Sequence, residues 1–413
     1  MGRLTDDCFA FGGQSMGVEA AAALIQARVA PLTDTEAVPL QAARGRVLAE
    51  RLIAPGALPP FFNAAVDGYA FAHRGGAALR LPVAGRVAAG AAPPPLIPGT
   101  AMRIFTGAAM PAGADTVLMQ EDAILEGDTL LLLPAGLRPG ANCRPAGEDV
   151  ARGATALAAG TRLGPAEIGL AAALGLAFLP CTRRLRVGVF STGDELAAPG
   201  TVLGPAQTFD SNRFTLLALL GGLPVEACDL GILPDQPAAT AAALAGAAAT
   251  HDLLLTSGGV SAGEEDHVRA AIEGAGRLVF WRLAVKPGRP AAMGMVAGTP
   301  VLGLPGNPVA AVVCFLHLAR PLILRLVGAE AEALPRFPAI ADFHHRKKPG
   351  RREYLRVRLR QNALMLFADK FDREGAGMLT SLTQSHALCE LPEALECVRP
   401  GDTVLVLPFS ALF

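Results

Sequence analysis

From about residue 183 the chain alternates short apolar runs with helix-like stretches. Leu185 to Phe190 is an apolar run of strand length. Asp210 to Leu220 has helical spacing, with Asp210 or Ser211 placed to cap it. The pattern then predicts a strand over Pro224 to Leu230, a helix over Ala238 to Ala249, a strand over Leu253 to Thr256, a helix over Glu265 to Glu273 and a strand over Pro300 to Leu304. A long apolar helix follows, Val309 to Val327, with a break expected near Pro321. Strands and helices alternating at this spacing imply a parallel sheet covered on both faces.

The flanking regions have other patterns. Residues 53 to 160 are dense in glycine and proline, with short apolar runs at Leu81 to Val83, Thr116 to Met119 and Thr129 to Leu133. That predicts a small β-rich unit with tight turns. Beyond Leu334 to Pro338, Tyr354 to Arg360 alternates arginine with apolar residues, which predicts a half-buried strand, and Asp402 to Leu407 predicts another. The fold class is therefore α/β plus β, in an elongated multidomain chain. An N-terminal region spans 1–182, with a β-rich subdomain at about 53–149 inserted in a second subdomain; an α/β domain spans 183–330 and a small C-terminal β domain 331–413.

Composition sharpens this. Hydrophobic residues make up 51% of the 413, charged residues 18%, and mean hydropathy is +0.38, so a membrane span must be considered. The best candidate, Val309 to Val327, contains His317, Arg320, Pro321 and Arg325. A spanning helix needs roughly 20 nearly charge-free residues, so a buried core helix is expected. Met1 to Gly13 carries Asp6 and Asp7 and lacks the apolar core of a secretory signal. A net charge of −1 gives no global attraction to nucleic acid or membrane. Seven cysteines, without a CxxC pair, argue against a disulfide framework or zinc site and for reduced thiols in a cytoplasmic protein.

Three predicted strands end in unusual residues: Ser191-Thr192-Gly193-Asp194-Glu195, then Ser257-Gly258-Gly259-Val260-Ser261 running on to Asp266, then Pro305-Gly306-Asn307-Pro308. In an open parallel sheet, ligands bind beyond the carboxyl ends of the strands. Glycines there let backbone N–H groups approach an anion, with helix N-termini behind. Glu195 and Asp266 suit that place if a divalent cation, Mg²⁺, bridges them to phosphate. Taken singly, each loop is an ordinary turn; three on one sheet point to a site. Lys286-Pro287-Gly288-Arg289-Pro290 adds two rigidly held cations. Asn63 to Ala70, Arg103 to Gly107 and Gly147-Glu148-Asp149 are unremarkable turns one by one.

In this order, these stretches resemble the MoeA family, which includes the C-terminal domain of gephyrin. The resemblance runs from about Leu32 to Leu412, and rests on Asp67-Gly68-Tyr69-Ala70, Arg103 to Gly107, Gly147 to Asp149, Ser191 to Leu196, Asp210 to Arg213, Ser257 to Asp266, Lys286 to Pro290 and Leu304 to Pro308. It implies a molybdopterin molybdenumtransferase, which inserts molybdate into adenylylated molybdopterin with release of AMP and the help of Mg²⁺. It implies a homodimer, with the site between the α/β domain of one subunit and the N-terminal β unit of the other. Contact with the pathway's adenylyltransferase and with recipient molybdoenzymes is also implied. Carried over by motif, Asp67, Asp149, Glu195, Asp235 and Asp266 are the catalytic candidates, with Glu195 and Asp266 on the metal. Thr106, Ser191, Thr192, Ser257, Gly258, Gly259, Ser261, Lys286, Arg289, Pro305, Gly306, Asn307 and Arg351 are the substrate-binding candidates.

The chain departs from the family pattern at Phe62, Ala64, Val66, Arg144, Arg269, Arg289 and Ala376. Phe62 and Ala64 stand where the family has a carboxylate and a hydroxyl, which predicts a less polar rim to the site. Two alternatives stay open: a non-catalytic cofactor-binding or scaffold paralogue, and adenylyl transfer to molybdopterin. The latter leaves the outer domains unexplained. His344 to Arg360 holds eight Lys/Arg and one acid, either a solvated strand face or an electrostatic guide for an anionic pterin.

Overall fold

The computed structural model describes residues 16–32, 34–73, 79–132, 137–233, 236–259, 271–272, 274, 276–288, 290–362 and 365–413. In the α/β domain, β1 (Leu185–Thr192), β2 (Val225–Leu233), β3 (Leu253–Ser257), β4 (Gly276–Arg282), β5 (Pro290–Val296) and β6 (Thr299–Leu304) lie in the order β2-β1-β3-β6-β5-β4. The first four run parallel. β5 and β4 run antiparallel at one edge, which the sequence pattern did not predict. Their connections explain the direction. Parallel neighbours need a crossover of a dozen or more residues, and only Ala297-Gly298, both at positive φ, joins β5 to β6. That is a tight hairpin turn.

Helices α1 (Asn212–Leu220), α2 (Pro237–Ala248) and α3 (Pro308–Leu326) cover the sheet. Alternation along the strands divides the core. Val187, Val189, Leu253 and Leu255 face α1 and α3, while Phe190, Leu254 and Val301 face Leu244 of α2. The expected helix Glu265 to Glu273 falls largely outside the described residues. α3 is long and apolar enough to cross a membrane, but it is the buried core helix of this domain. It does not break at Pro321. A π turn over Phe315–Ala319 precedes the proline, which then sits in the first turn of the next α segment. Pro321 has no N–H for the carbonyl four residues back, and the wider turn accommodates this.

An N-terminal helix, Val18–Arg28, packs Val18, Ala21 and Ile25 into the same core. Strand Thr35–Pro39 then pairs antiparallel with Phe178–Thr182, and Leu52–Ile53 with Thr155–Leu157. The intervening chain forms a six-stranded sheet around Gly68–Phe71 and Ala101–Ile104. Arg162 ties this region to the rest: its guanidinium grips Glu332 at 2.7 and 3.0 Å, and Glu332 also accepts from Arg320 at 2.6 Å.

The C-terminal domain supplies five strands of a six-stranded sheet that curls, because Arg352–Asn362 pairs with both Met365–Lys370 and Ala387–Leu391. Val285–Lys286 of the α/β domain adds a parallel edge to Arg352-Glu353, fusing the two domains. The expected alternation of exposed arginines fails at Arg356. Its Nε donates to Ser381 Oγ at 3.1 Å and its guanidinium to Gly375 O at 2.9 Å, so it is buried; only Arg358 and Arg360 are exposed. Pairing with Leu388 and the loop around Gly375 cover it, leaving it facing an internal hollow and not the outer surface.

Candidate functional site

β1, β3 and β6 are neighbours, so their carboxyl ends meet. The loops that leave them are pinned to one another. Gly258 N donates to Leu304 O at 3.0 Å, joining the second loop to the third. Gly258 sits at φ +91°, and a Cβ there would press on Thr192 O, so the first loop touches it too. Asn212, at the start of α1, completes the join: its Nδ2 donates to Ser257 Oγ at 2.8 Å and to Gly306 O at 2.6 Å. Its Oδ1 is buried without a described partner. Asn212 belongs to the Asp210 to Arg213 motif, but the sequence pattern marked that motif only as a helix start.

Ser191, Thr192 and Ser257 are buried. The Ser191 hydroxyl donates to Asp210 Oδ1 at 3.0 Å, and that of Ser257 points to Pro305 O at 3.4 Å. Both hydroxyls, candidates for ligand contact, brace the loops in this structure. Asp210 is itself buried. It accepts from Arg213 Nε at 2.8 Å and from Arg213 N at 3.3 Å, which caps α1. Burial opposes the Arg213 charge, but Asp210 and Asp229 overcome this and hold its pKa above the usual value.

Several groups remain free on the crevice side. Glu195 is exposed, and its carboxylate makes no described hydrogen bond or ion pair. Gly306 and Asn307 are exposed at the start of α3; Asn307 is its N-cap, without a side-chain capping bond, and Pro305 behind them is buried. Gly259 is half-buried at φ +66°. Ser261, Asp266, Asp235 and Arg289 lie outside the described residues.

Beside the crevice is a second hollow. Ala376 O accepts from Val309 N at 3.0 Å, which lays the loop Glu374-Gly375-Ala376 against the first turn of α3. This loop, Lys286-Pro287 and strand Arg352–Asn362 enclose a cavity of about 270 Å³. Lys286, His345, Arg356, Lys370 and Arg373 face it, against Glu353 and Glu374. Lys286 Nζ pairs with the buried Glu353 at 2.7 Å, and Lys370 with Glu374 at 2.7 Å. Arg351 is half-exposed with no described partner and does not line this cavity. The basic run around it is largely structural. Arg352 binds Glu19, Glu390 and Glu393, and Lys347 Nζ donates to three carbonyls of 392–395.

The N-terminal candidates form a separate group. Asp67 Oδ1 accepts from both Thr106 N and Thr106 Oγ1 at 2.7 Å. Those bonds, the backbone one first, hold its carboxyl below the usual range. Gly68 is required by packing, because a Cβ would collide with Leu118 O of the neighbouring strand. Asp149 is exposed, with its N–H on Leu58 O at 3.0 Å. Among the described residues, Asp67, Thr106 and Asp149 make no hydrogen bond to the α/β domain. Ala64 is buried in the subdomain core, so that departure does not touch the rim; Phe62 is exposed.

A parallel-sheet domain with an anion-suited crevice, an inserted β-rich unit before it and a curled β domain behind it define a modular ligand-binding architecture of the molybdopterin-binding class. Three family models match in sequence: "MoeA N-terminal region (domain I and II)" over residues 16–175, "Probable molybdopterin binding domain" over 188–325, and "MoeA C-terminal region (domain IV)" over 338–409. A Haemophilus influenzae protein named molybdopterin molybdenumtransferase is 39% identical over 384 residues, 92% of this chain and 95% of the relative. A Mycobacterium tuberculosis protein named molybdopterin molybdenumtransferase 2 is 37% identical, covering 89% and 94%. The crystal structure of the molybdopterin biosynthesis MoeA protein from Pyrococcus horikoshii OT3 matches with a TM-score of 0.81 at 30% identity, over 96% of this chain and 100% of that one. The chain belongs to the MoeA family.

Proposed function

We propose that this protein acts in molybdenum cofactor biosynthesis, inserting molybdate into adenylylated molybdopterin with release of AMP, in the cytoplasm. The observation that carries this is the joining of two strand-end loops by Asn212, with the first strand end held alongside through Ser191 and Asp210; this leaves Gly259, Gly306, Asn307, Glu195 and the unpartnered Asn212 Oδ1 at the carboxyl ends of neighbouring strands. Backbone N–H groups and the start of α3 suit phosphate. Asn212 Oδ1, an acceptor without a donor, suits a pterin N–H. The adjoining cavity with Lys286, Arg356, Lys370 and Arg373 suits a small oxyanion such as molybdate. Each substrate is an anion, so a crevice that offers backbone N–H groups beside a basic cavity lets them approach each other. Holding them in register contributes roughly 7–11 kcal/mol at best.

Glu195 fits a hard divalent cation, because its carboxylate is exposed and unpaired. Mg²⁺ commonly takes one or two carboxylates plus phosphate oxygens. Glu195 and Asp266 would hold it, and it would supply Lewis-acid polarisation of the phosphoanhydride. Among the described residues no three His, Cys, Asp or Glu side chains cluster as a ready-made metal site. In a homodimer, Asp67, Thr106 and Asp149 of one copy reach the crevice of the other, which gives their separate grouping a purpose.

Purified protein given adenylylated molybdopterin, molybdate and Mg²⁺ is expected to release AMP and yield active cofactor. Glu195→Gln and Asp266→Asn are each expected to slow this at least about a hundredfold while remaining folded. Binding of the pterin without AMP release refutes the proposal and leaves the scaffold alternative.

A further inference from the structure

We infer that a second anion site lies at the opposite edge of the parallel sheet, and that it takes a phosphate group, free or on a nucleotide monophosphate. Arg184 immediately precedes β1, and Gly221-Gly222 lie just ahead of β2, so the place is at the amino ends of the strands, away from the crevice. There the α/β domain and the N-terminal region face each other across a cleft of about 510 Å³. Arg44, Arg162 and Arg184, from three distant parts of the chain, line it, with no acidic side chain among its described lining residues.

Two of these arginines are nearly free. Arg44 is exposed and makes no described hydrogen bond or ion pair. Arg184 donates once, to Val225 O at 3.3 Å. Arg162 is anchored on Glu332, with NH1 on Gly222 O at 3.2 Å, so its position is fixed. Like charges gathered in one cleft repel, and among the described residues no carboxylate pairs with Arg44 or Arg184. A phosphate dianion offsets that repulsion and matches the forked geometry of guanidinium groups. Gly222 leaves its surroundings open; the N-terminus of helix Pro165–Ala173 borders the cleft but is already capped by Glu167, whose Oε2 accepts from Gly164 N at 2.9 Å, so the arginines carry the site. A bound phosphate would bridge the two domains beside the Arg162–Glu332 pair and stabilise their docking.

The test is titration calorimetry and thermal unfolding of the full chain with inorganic phosphate and with AMP, at low ionic strength, against chloride of equal ionic strength. A Lys286→Gln background weakens the cavity beside the crevice, so binding that persists there and falls on loss of Arg44 and Arg184 is assigned to the cleft. Saturable phosphate binding is expected, weakened at least about tenfold in Arg44→Gln/Arg184→Gln. Tighter binding of AMP than of phosphate identifies a nucleotide as the source; equal binding identifies free phosphate. Arg44→Gln alone removes an exposed side chain without contacts, so it folds and is expected to weaken binding severalfold. No saturable binding, or binding unchanged in either variant, overturns the inference. AMP release from the proposed reaction is assayed separately, so either idea can fail without the other.

Discussion

His317 links acid stability to the joint between two domains. It lies in the π turn of α3, 4% exposed, with its ring centroid 4.8 Å from that of Tyr354 in the C-terminal domain. Its Nε2 is buried without a described partner. Burial first, then the charges of Arg336 and Arg352, push its pKa down from 6.5 to about 3. The folded protein thus holds this imidazole neutral, whereas the unfolded chain protonates it near 6.5. The stability it allows is complete above pH 6.5 and is lost as pH falls from there towards 3. At pH 4.5, two units below the unfolded value, linkage gives about 3 kcal/mol lost through this one residue. The perturbation is His317→Phe, which keeps an aromatic ring against Tyr354 but cannot bind a proton. Urea unfolding followed by circular dichroism at pH 7.5 and pH 4.5 measures the difference. Wild type is expected to lose about 3 kcal/mol more than the variant across that interval. Equal losses would refute the reasoning, as would an NMR titration of His317 near pH 6.5 in the folded protein.

Glu332→Ala strips Arg320 and Arg162 of their shared carboxylate; with the Arg320 side chain only 12% exposed, a loss of about 2–3 kcal/mol is expected, and an unchanged melting temperature would count against it. Asn212→Ala unties two loops, so kcat/KM for AMP release should fall at least about tenfold, with a stability cost of about 1–2 kcal/mol seen by calorimetry. Thr106→Val removes one of the two bonds that hold Asp67 ionised. The carboxylate form is then lost at higher pH, and the acid limb of the pH–rate profile should move upward; an unmoved limb would separate Asp67 from the reaction. Gly68→Ala drives a methyl into Leu118 O and Val117, and should cost at least about 2 kcal/mol in thermal unfolding.

The α/β domain was legible because its strands carry a strong signal. Leu185 to Phe190 and Leu253 to Thr256 are apolar runs bounded by polar turns, and both became β1 and β3 with ends extended by two residues and one. β5 was illegible for a physical reason. Pro290–Val296 is built of alanine, methionine, glycine and proline, with little intrinsic strand preference. It is a strand because β6 pairs along one side and β4 along the other, a tertiary effect that no local window contains. Arg356 misled for a similar reason: alternation shows which residues share a face, but a covering loop decides whether that face is wet. The separate cavity under Lys286 could not be foreseen either, since Lys370, Arg373 and Glu374 come from a segment with no motif of its own.

The crevice also shows how the residues of one motif divide between bracing the loops and facing the opening. Ser191 and Ser257 carry the hydroxyls that drew attention to their loops, yet both are buried and bonded inward. An anion needs positive, preorganised donors, and a hydroxyl that already braces a loop adds more by fixing nearby N–H groups than by turning to the ligand. The same logic applies to Asp210, which as a bare carboxylate facing the crevice would repel phosphate. Locked between Ser191 and Arg213, it instead caps α1 and sets Asn212 between two loops. In the proposed function, ligand contact then falls to the groups without a described partner: Glu195, Asn212 Oδ1 and Asn307, with the backbone of Gly259 beside them. If substitution of Ser191 by alanine lowers stability and substrate affinity in proportion, the hydroxyl acts through the loop. A loss of affinity at unchanged stability would return it to the ligand.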